Sequence, residues 1–439
     1  MSRLQEVFAE AQKYMIAGAS AGQRYRKASG QPLYLSGASG CRLYDVDGNV
    51  YIDYHGGAGA AMFGHAHPRL RDAAMRAMEM GFFMNYDTEY TVECARLLSE
   101  IFPSCERMRF ANTGSEATQD AIRLARTYTG KDIIVKFDGH FHGMHDLIWY
   151  NHSSVAPAGK DGAVETIPDC SGLDKKTAES IRVVLWNDVD ALENCVRENR
   201  GRIAAVILEP ISFNCGCLLP KEGYLQAVRD ICTREGIVLI FDEVICGLRM
   251  APGSAQAYFG VTPDMTTMAK AIGGGFPIAA FGGKKEIMDC LSPFGPCVVS
   301  GTYTGSLMPV VVSCECLKMS QEPGFYEAIE EAGMRLIHGI NSLFAQNGLR
   351  GHARRVGARF SIYFGPDDPE EDYDFRKTAA KMDAAMYDKF IQNVLSVGLW
   401  FHDTASKITP AHYGFSTQHT LADIDETLDK LETVFKKMK

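Results

Sequence analysis

A chain of 439 residues, 46% hydrophobic and 23% charged, has the make-up of a soluble globular protein large enough for two packed domains, and not of a disordered one. Its formal net charge of −9 speaks against nucleic acid and anionic membrane surfaces as partners, which demand basic patches, and no apolar run nears the roughly 18 residues of a membrane span. Thirteen cysteines, odd in number and scattered through apolar stretches, are expected to be reduced thiols in a cytoplasmic protein.

In chain order, Leu4, Val7, Phe8, Ala11 and Tyr14 recur at helical spacing with Glu6, Glu10 and Lys13 between them, which predicts an amphipathic helix and not a secretion signal. Residues 41–56 alternate apolar and polar about Asp47-Gly48-Asn49, the pattern of a hairpin. A calcium loop would need a third acidic ligand and a closing glutamate, and neither follows. From about residue 110 the pattern changes. Compact apolar runs at 133–137, 203–208, 237–241 and 278–282 suit strands buried on both faces, and residues 116–128 and 224–235 carry helical periodicity between them. This alternation predicts an α/β fold, a mostly parallel sheet with helices on both sides and ligands at the carboxyl ends of its strands. Residues 364–376 form the most acidic, turn-prone stretch and read as an exposed loop, before helical patterns return at 377–398 and 421–439.

Four places carry chemistry. Asp242 directly follows the apolar run IVLIF, so its carboxylate is fixed at the end of a buried strand, where it needs a cation or donors. Two readings stand: a cap for the next helix or a partner for Arg249, or a carboxylate facing a protonated ring nitrogen. Lys270, in MTTMAKAIGGGFP, is either a snorkelling surface lysine or a desolvated amine able to attack an aldehyde. The three glycines after it suit a close backbone approach. Asn112-Thr113-Gly114-Ser115-Glu116 opens a helix, and serves as an ordinary N-cap, a phosphate cradle, or both. In Asp138-Gly139-His140-Phe141-His142-Gly143-Met144-His145 the histidines lack metal-ligand spacing, and the Cys215/Cys217 and Cys314/Cys316 pairs complete no zinc set, so no metal is expected. Phe141 is suited to stack on a flat cofactor.

Taken in order, NTGSEATQDAIRLAR, KFDGHFHGMHD, ILEPISFN, FDEVICGLR, AYFGVTPDMTTMAKAIGGGFPIAAFGG and SGTYTG resemble the class-III (subgroup II) pyridoxal-5′-phosphate (PLP) aminotransferases. Within them the chain is most similar to the glutamate-1-semialdehyde 2,1-aminomutase group, from about Leu43 to the C-terminus. The resemblance implies a PLP-transferase fold of type I, with a large domain at 65–310 and a small α/β domain assembled from 1–64 and 311–439. It implies PLP held by Lys270 as a Schiff base, Asp242 on the pyridinium nitrogen and Val244 against the ring face. Gly114 and Ser115 would hold the phosphate, Phe141 would stand where a stacking tyrosine is usual, and His142 beside it. Asn214 would lie near the phenolic oxygen and Glu209 near the active site. Thr302 would reach the phosphate of a neighbouring subunit, which implies a homodimer.

Departures from the pattern bear on the substrate. The arginine that binds a substrate carboxylate in the aminomutase group has its match in Arg24, with Arg26 as a rival, and a plain surface role for both stays open. His412, before Tyr413-Gly414-Phe415, replaces an expected carboxylate, and Ser306-Leu307 replaces an Asn-Pro pair. An imidazole in place of an anion reverses the local electrostatics. These differences favour an aminotransferase working between an amine or amino acid, β- or ω-amino donors included, and a keto acceptor by a ping-pong mechanism. The alternatives are an intramolecular mutase, with 367–374 as a candidate lid, and a racemase.

Overall fold

The computed structural model describes residues 1–81, 83–365, 374–403 and 409–439. Its centre is an eight-stranded sheet of β1 (Arg107–Ala111), β2 (Ile133–Phe137), β3 (Ala163–Val164), β4 (Ile181–Val184), β5 (Ile203–Leu208), β6 (Val238–Asp242), β7 (Met265–Met268) and β8 (Ala279–Gly283). The spatial order is β1-β8-β7-β6-β5-β2-β4-β3. β4, β2, β5, β6 and β7 run parallel, and every residue of β2, β5, β6 and β7 is buried. That is why these strands read as unbroken apolar runs and not as alternation. β8 is antiparallel to both of its neighbours. Only residues 269–278 separate it from β7, too few for the dozen or so that a parallel crossover needs. The reversal leaves a tight turn at the carboxyl end of β7, and Lys270 sits in it.

The helix Gly114–Thr129 starts directly after β1. Thr113 caps it, its hydroxyl accepting from the Glu116 amide at 3.2 Å, and Gly130 ends it in the left-handed conformation. Ala117, Ala121, Ile122 and Ala125 bury one face of this helix against the sheet. Tyr224–Glu235 covers the opposite face through Leu225, Val228 and Ile231.

Three smaller sheets lie outside this unit, one of them the two-stranded pair Tyr25–Arg26 and Gln31–Pro32. Arg42–Asp45 and Val50–Asp53 form the expected hairpin, whose turn is held by the Asp45 carboxylate accepting the amides of Asp47 and Asn49 at 3.0 and 2.8 Å. Leu399–Trp400 joins the same sheet parallel to Val50–Asp53, so a segment from late in the chain completes a sheet begun early. Gly351–Val356, Arg359–Phe364 and His412–Gly414 make a three-stranded antiparallel sheet. Among the described residues no helix is long and apolar enough to cross a membrane, and all thirteen cysteines are free.

Several boundaries differ from expectation. The first helix, Arg3–Ala11, stops short of Tyr14, which is exposed. The strands expected at 237–241 and 278–282 each begin one residue later. Within the acidic stretch, residues 366–373, and most of the candidate lid with them, lie outside the described residues. Helix Phe375–Lys381 follows directly.

Candidate active site

The carboxyl ends of β2, β5, β6 and β7 face a cavity of about 300 Å³. Asp242 closes β6 and is 4% exposed. Its Oδ1 accepts the Val244 amide and the Thr267 hydroxyl, each at 3.1 Å, and its Oδ2 lies 2.8 Å from His142 Nδ1. Burial lowers the pKa of His142, so the ring is neutral and its Nδ1–H donates to the carboxylate. Three donors therefore compensate this buried anion without any cation. Arg249 is not its partner: that guanidinium is buried and donates to the carbonyls of Ile245 and Gly59. Nor does Asp242 cap a helix, since the next one, Ser254–Phe259, is capped by Gly253. The helix-cap and Arg249 readings both fall.

Lys270 opens the turn after β7 at φ +52°, a strained conformation for a lysine. Its side chain lines the cavity. Burial and the nearby Arg249 push its amine down to about 8, helped by Arg359 and opposed by Asp242 and Glu209. Because the side chain lines this cavity, the snorkelling reading falls. The glycines that follow serve packing: a Cβ on Gly274 would lie 2.6 Å from Cys316 Sγ, and one on Gly273 would lie 2.8 Å from Ile278 Cγ2. They let the turn settle against the helix Leu307–Ser320 rather than approach a ligand.

Gly114 and Ser115 bring the start of their helix to the cavity wall. A Cβ on Gly114 would stand 2.9 Å from Val244 Cγ1, so only glycine lets the helix come this close. The first amides of a helix have no intrahelical acceptor, which leaves them for an anion. Ser115 Oγ accepts the Met144 amide at 3.2 Å, and this ties the helix to the loop after β2. On that loop Phe141 and His142 line the cavity, and the Phe141 ring lies 4.8 Å from that of His152. Phe141 also donates its amide to Glu209 Oε1 at 2.9 Å, while Asn214 Nδ2 donates to Glu209 Oε2 at 3.0 Å. Asn214 thus stands behind Glu209 and orients it. Burial raises the Glu209 carboxyl to about 8, so it is protonated at neutral pH.

The other expected residues are not brought to this cavity within one chain. Thr302 is exposed in the turn before Leu307–Ser320. Arg24 is exposed, with its guanidinium 2.6 Å from Ser20 Oγ. Arg26 is buried and already paired, with Asp403 at 3.3 Å and the Trp400 ring at 3.6 Å. His412 is buried on the three-stranded sheet, where it accepts from Arg359. The histidines of the loop after β2 have separate partners. His140 Nδ1 accepts the Glu209 amide at 3.0 Å, and His145 Nε2 meets Thr118 Oγ1 at 3.1 Å. Among the described residues no cluster of three or more histidine, cysteine or acidic side chains is arranged to hold a metal.

Sequence reasoning missed Thr267, whose hydroxyl holds Asp242, and Arg359, whose charge acts on Lys270; it named Arg249 only as a partner for Asp242. Thr267 had a signal, a hydroxyl in a strand otherwise fully buried; the arginines had none, because their burial depends on how distant segments meet.

This donor set suits PLP: a desolvated amine for its aldehyde, a compensated carboxylate for its ring nitrogen and a glycine-opened helix start for its phosphate, all lining one cavity. Residues 25–435 match the class-III aminotransferase family. Over 436 residues, 99% of each chain, the sequence is 38% identical to a glutamate-1-semialdehyde 2,1-aminomutase of Citrifermentans bemidjiense. Among solved structures, an omega-transaminase from Sphaerobacter thermophilus superposes with a TM-score of 0.92 at 29% identity, covering 100% of this chain and 98% of that one. A beta-phenylalanine aminotransferase from Variovorax paradoxus gives 0.83 at 27% identity, covering 98% and 93%.

Proposed function

Because the chain belongs to the class-III aminotransferase family and is a PLP-dependent enzyme, we propose that it moves an amino group from an amine or amino acid to a keto acceptor in two half-reactions. The observation that carries this reading is Lys270, an amine of pKa about 8 lining the same cavity as Asp242. A depressed pKa leaves enough neutral amine at physiological pH to bind an aldehyde and, once free, to take a proton from the carbon bearing nitrogen. When bound, PLP supplies the electron sink for the charge that proton leaves behind.

The chain's own residues then divide the work. Asp242, fixed by His142, Thr267 and the Val244 amide, would hold the ring nitrogen protonated. Gly114 and Ser115 would bind the phosphate, and Phe141 and Val244 would flank the ring. Glu209, carried protonated by its burial, would be a hydrogen-bond donor near the cofactor's oxygen, with Asn214 as its positioning residue. Thr302, exposed in its turn, would complete the phosphate site of a second copy, which makes the working unit a homodimer. We place the enzyme in the cytoplasm, where buried free thiols stay reduced.

A second reading is an intramolecular mutase, favoured by the 38% identity to an aminomutase over 99% of its length. The visible spectrum of the purified holoenzyme, recorded with a panel of amines and no keto acid, separates the two. Bleaching of the bound-cofactor band by particular donors supports transfer. A band that no donor bleaches, together with no exchange of nitrogen with added keto acids, rejects transfer and favours the mutase.

A further inference from the structure

The loop after β2 carries Phe141 and His142, and its first two residues are held from a distant part of the chain. Asp138, 2% exposed, stands 2.9 Å from the Arg376 guanidinium on the helix Phe375–Lys381. Phe375, also buried, packs with Cys215 and Leu218 beside Gly139. Gly139 is at φ +82°, and a Cβ there would lie 2.5 Å from Cys215 Sγ and 2.9 Å from Phe375 Cγ, so only glycine lets the three come together. Its carbonyl accepts the Cys215 thiol at 3.0 Å and His152 Nδ1 at 3.2 Å. Cys215 directly follows Asn214, the residue that orients Glu209. Phe375 and Arg376 thus meet the chain beside both 141–142 and 209–214, and Phe141, His142 and Glu209 all line the cavity.

Burial lifts the Asp138 carboxyl to about 6, against the pull of Arg376 and Lys136. Among the described residues only Arg376 forms an ion pair with it. Lys136 works on the loop itself: its Nζ donates to the carbonyls of His140, at 2.8 Å, and Tyr150. Removing one partner from a buried pair leaves the other charge uncompensated, so the position of Asp138 depends on the helix. That helix is anchored in turn. The Asp383 amide, just beyond its end, donates to the Phe364 carbonyl at 2.8 Å, and the Tyr363 hydroxyl donates to the carbonyl of Gly216, next to Cys215. The three-stranded sheet is therefore tied, through one short helix, to the loop that places His142 on Asp242.

We propose that Phe375 and Arg376 are positioning residues for the cofactor: they hold Gly139 and Asp138, and through them set Phe141 at the ring and His142 on Asp242. This rests on the proposed roles of Phe141, His142 and Asp242 toward PLP, and not on which amine or keto acid reacts there.

Two readouts other than turnover test it: amide hydrogen exchange of residues 138–145 in the holoenzyme with excess PLP, and PLP affinity by equilibrium dialysis. Arg376→Gln should speed exchange in 138–145 about tenfold, leave 203–208 of β5 at the wild-type rate, and weaken PLP about tenfold. Arg376→Lys, which keeps the charge, should recover most of both. Asp138→Asn should match Arg376→Gln, and the double variant should be no worse than either, because the two residues act as one pair. Either readout at its wild-type value in Arg376→Gln overturns the proposal. So does exchange that quickens equally in 203–208, which is a general loss of stability, or losses that add in the double variant. If Arg376→Gln does not fold, Phe375→Leu decides between the same outcomes of exchange and affinity, since it keeps the ion pair and trims only the ring contact. The expected losses in an enzyme whose cofactor band no donor bleaches uphold the positioning role and overturn the aminotransferase reading instead.

Discussion

In the cofactor-free protein the Lys270 amine releases its proton near pH 8 and not near the 10.5 of an ordinary lysine. At pH 7 that leaves about one amine in eleven unprotonated instead of about one in 3,000, a gain of about 300-fold in the reactive form. The rate at which apoenzyme captures pyridoxal phosphate, followed by absorbance from pH 6 to 10, should therefore climb about tenfold per pH unit and level off near pH 8. Asp242 raises the Lys270 pKa by favouring the ammonium, so Asp242→Asn should move the midpoint downward, below that of wild type. A wild-type midpoint above pH 10, or an upward shift in Asp242→Asn, would refute the reasoning: either result would mean that burial and the two arginines do not set the charge on this amine.

Lys270→Ala should retain the fold by circular dichroism and lose turnover by about 10²- to 10⁴-fold or more, the range ascribed to a positioned acid–base group; turnover at the wild-type rate would remove Lys270 from the mechanism. Burial lifts the Glu209 carboxyl to about 8 from an ordinary 4.5, so the folded state holds a proton that the unfolded chain has released. The stability this contributes is fully present below pH 4.5 and is lost as pH rises toward 8. The melting temperature of cofactor-free Glu209→Gln relative to wild type should accordingly increase from pH 5 to pH 8.5, and a flat or falling difference contradicts the assignment. Gly114→Ala puts a methyl group 2.9 Å from Val244 Cγ1 and should weaken PLP binding about tenfold, or roughly 1.4 kcal/mol, in equilibrium dialysis. Unchanged affinity would show that Val244 yields without cost.

The strands β2 and β5 and the helix Tyr224–Glu235 were legible residue for residue, because each is specified by local apolar pattern and by its own end signals. That Lys270, Asp242, Gly114 and Phe141 line one cavity has a related reason: each lies at or shortly after the end of a strand or opens a helix, so the motif in sequence is also the neighbourhood in space. The antiparallel direction of β8 was not read from the sequence, although residues 269–278 are too few for a parallel crossover. Other features had no local signal at all. His142 donates to Asp242 across 100 residues, Asn214 serves Glu209, and Arg249 and Arg359 meet at Gly59 from segments far apart in the chain. Arg24 and His412 were read in the pattern as substrate contacts, yet in the fold Arg24 is exposed beside Ser20 and His412 is buried against Arg359. Sequence by itself determined the elements, since those follow from short-range periodicity and spacing, and it pointed to the cofactor through the resemblance of its ordered motifs to the class-III family. The charge state of the site was decided by the tertiary structure alone, because desolvation and Coulomb interaction depend on distances between segments that no local pattern records.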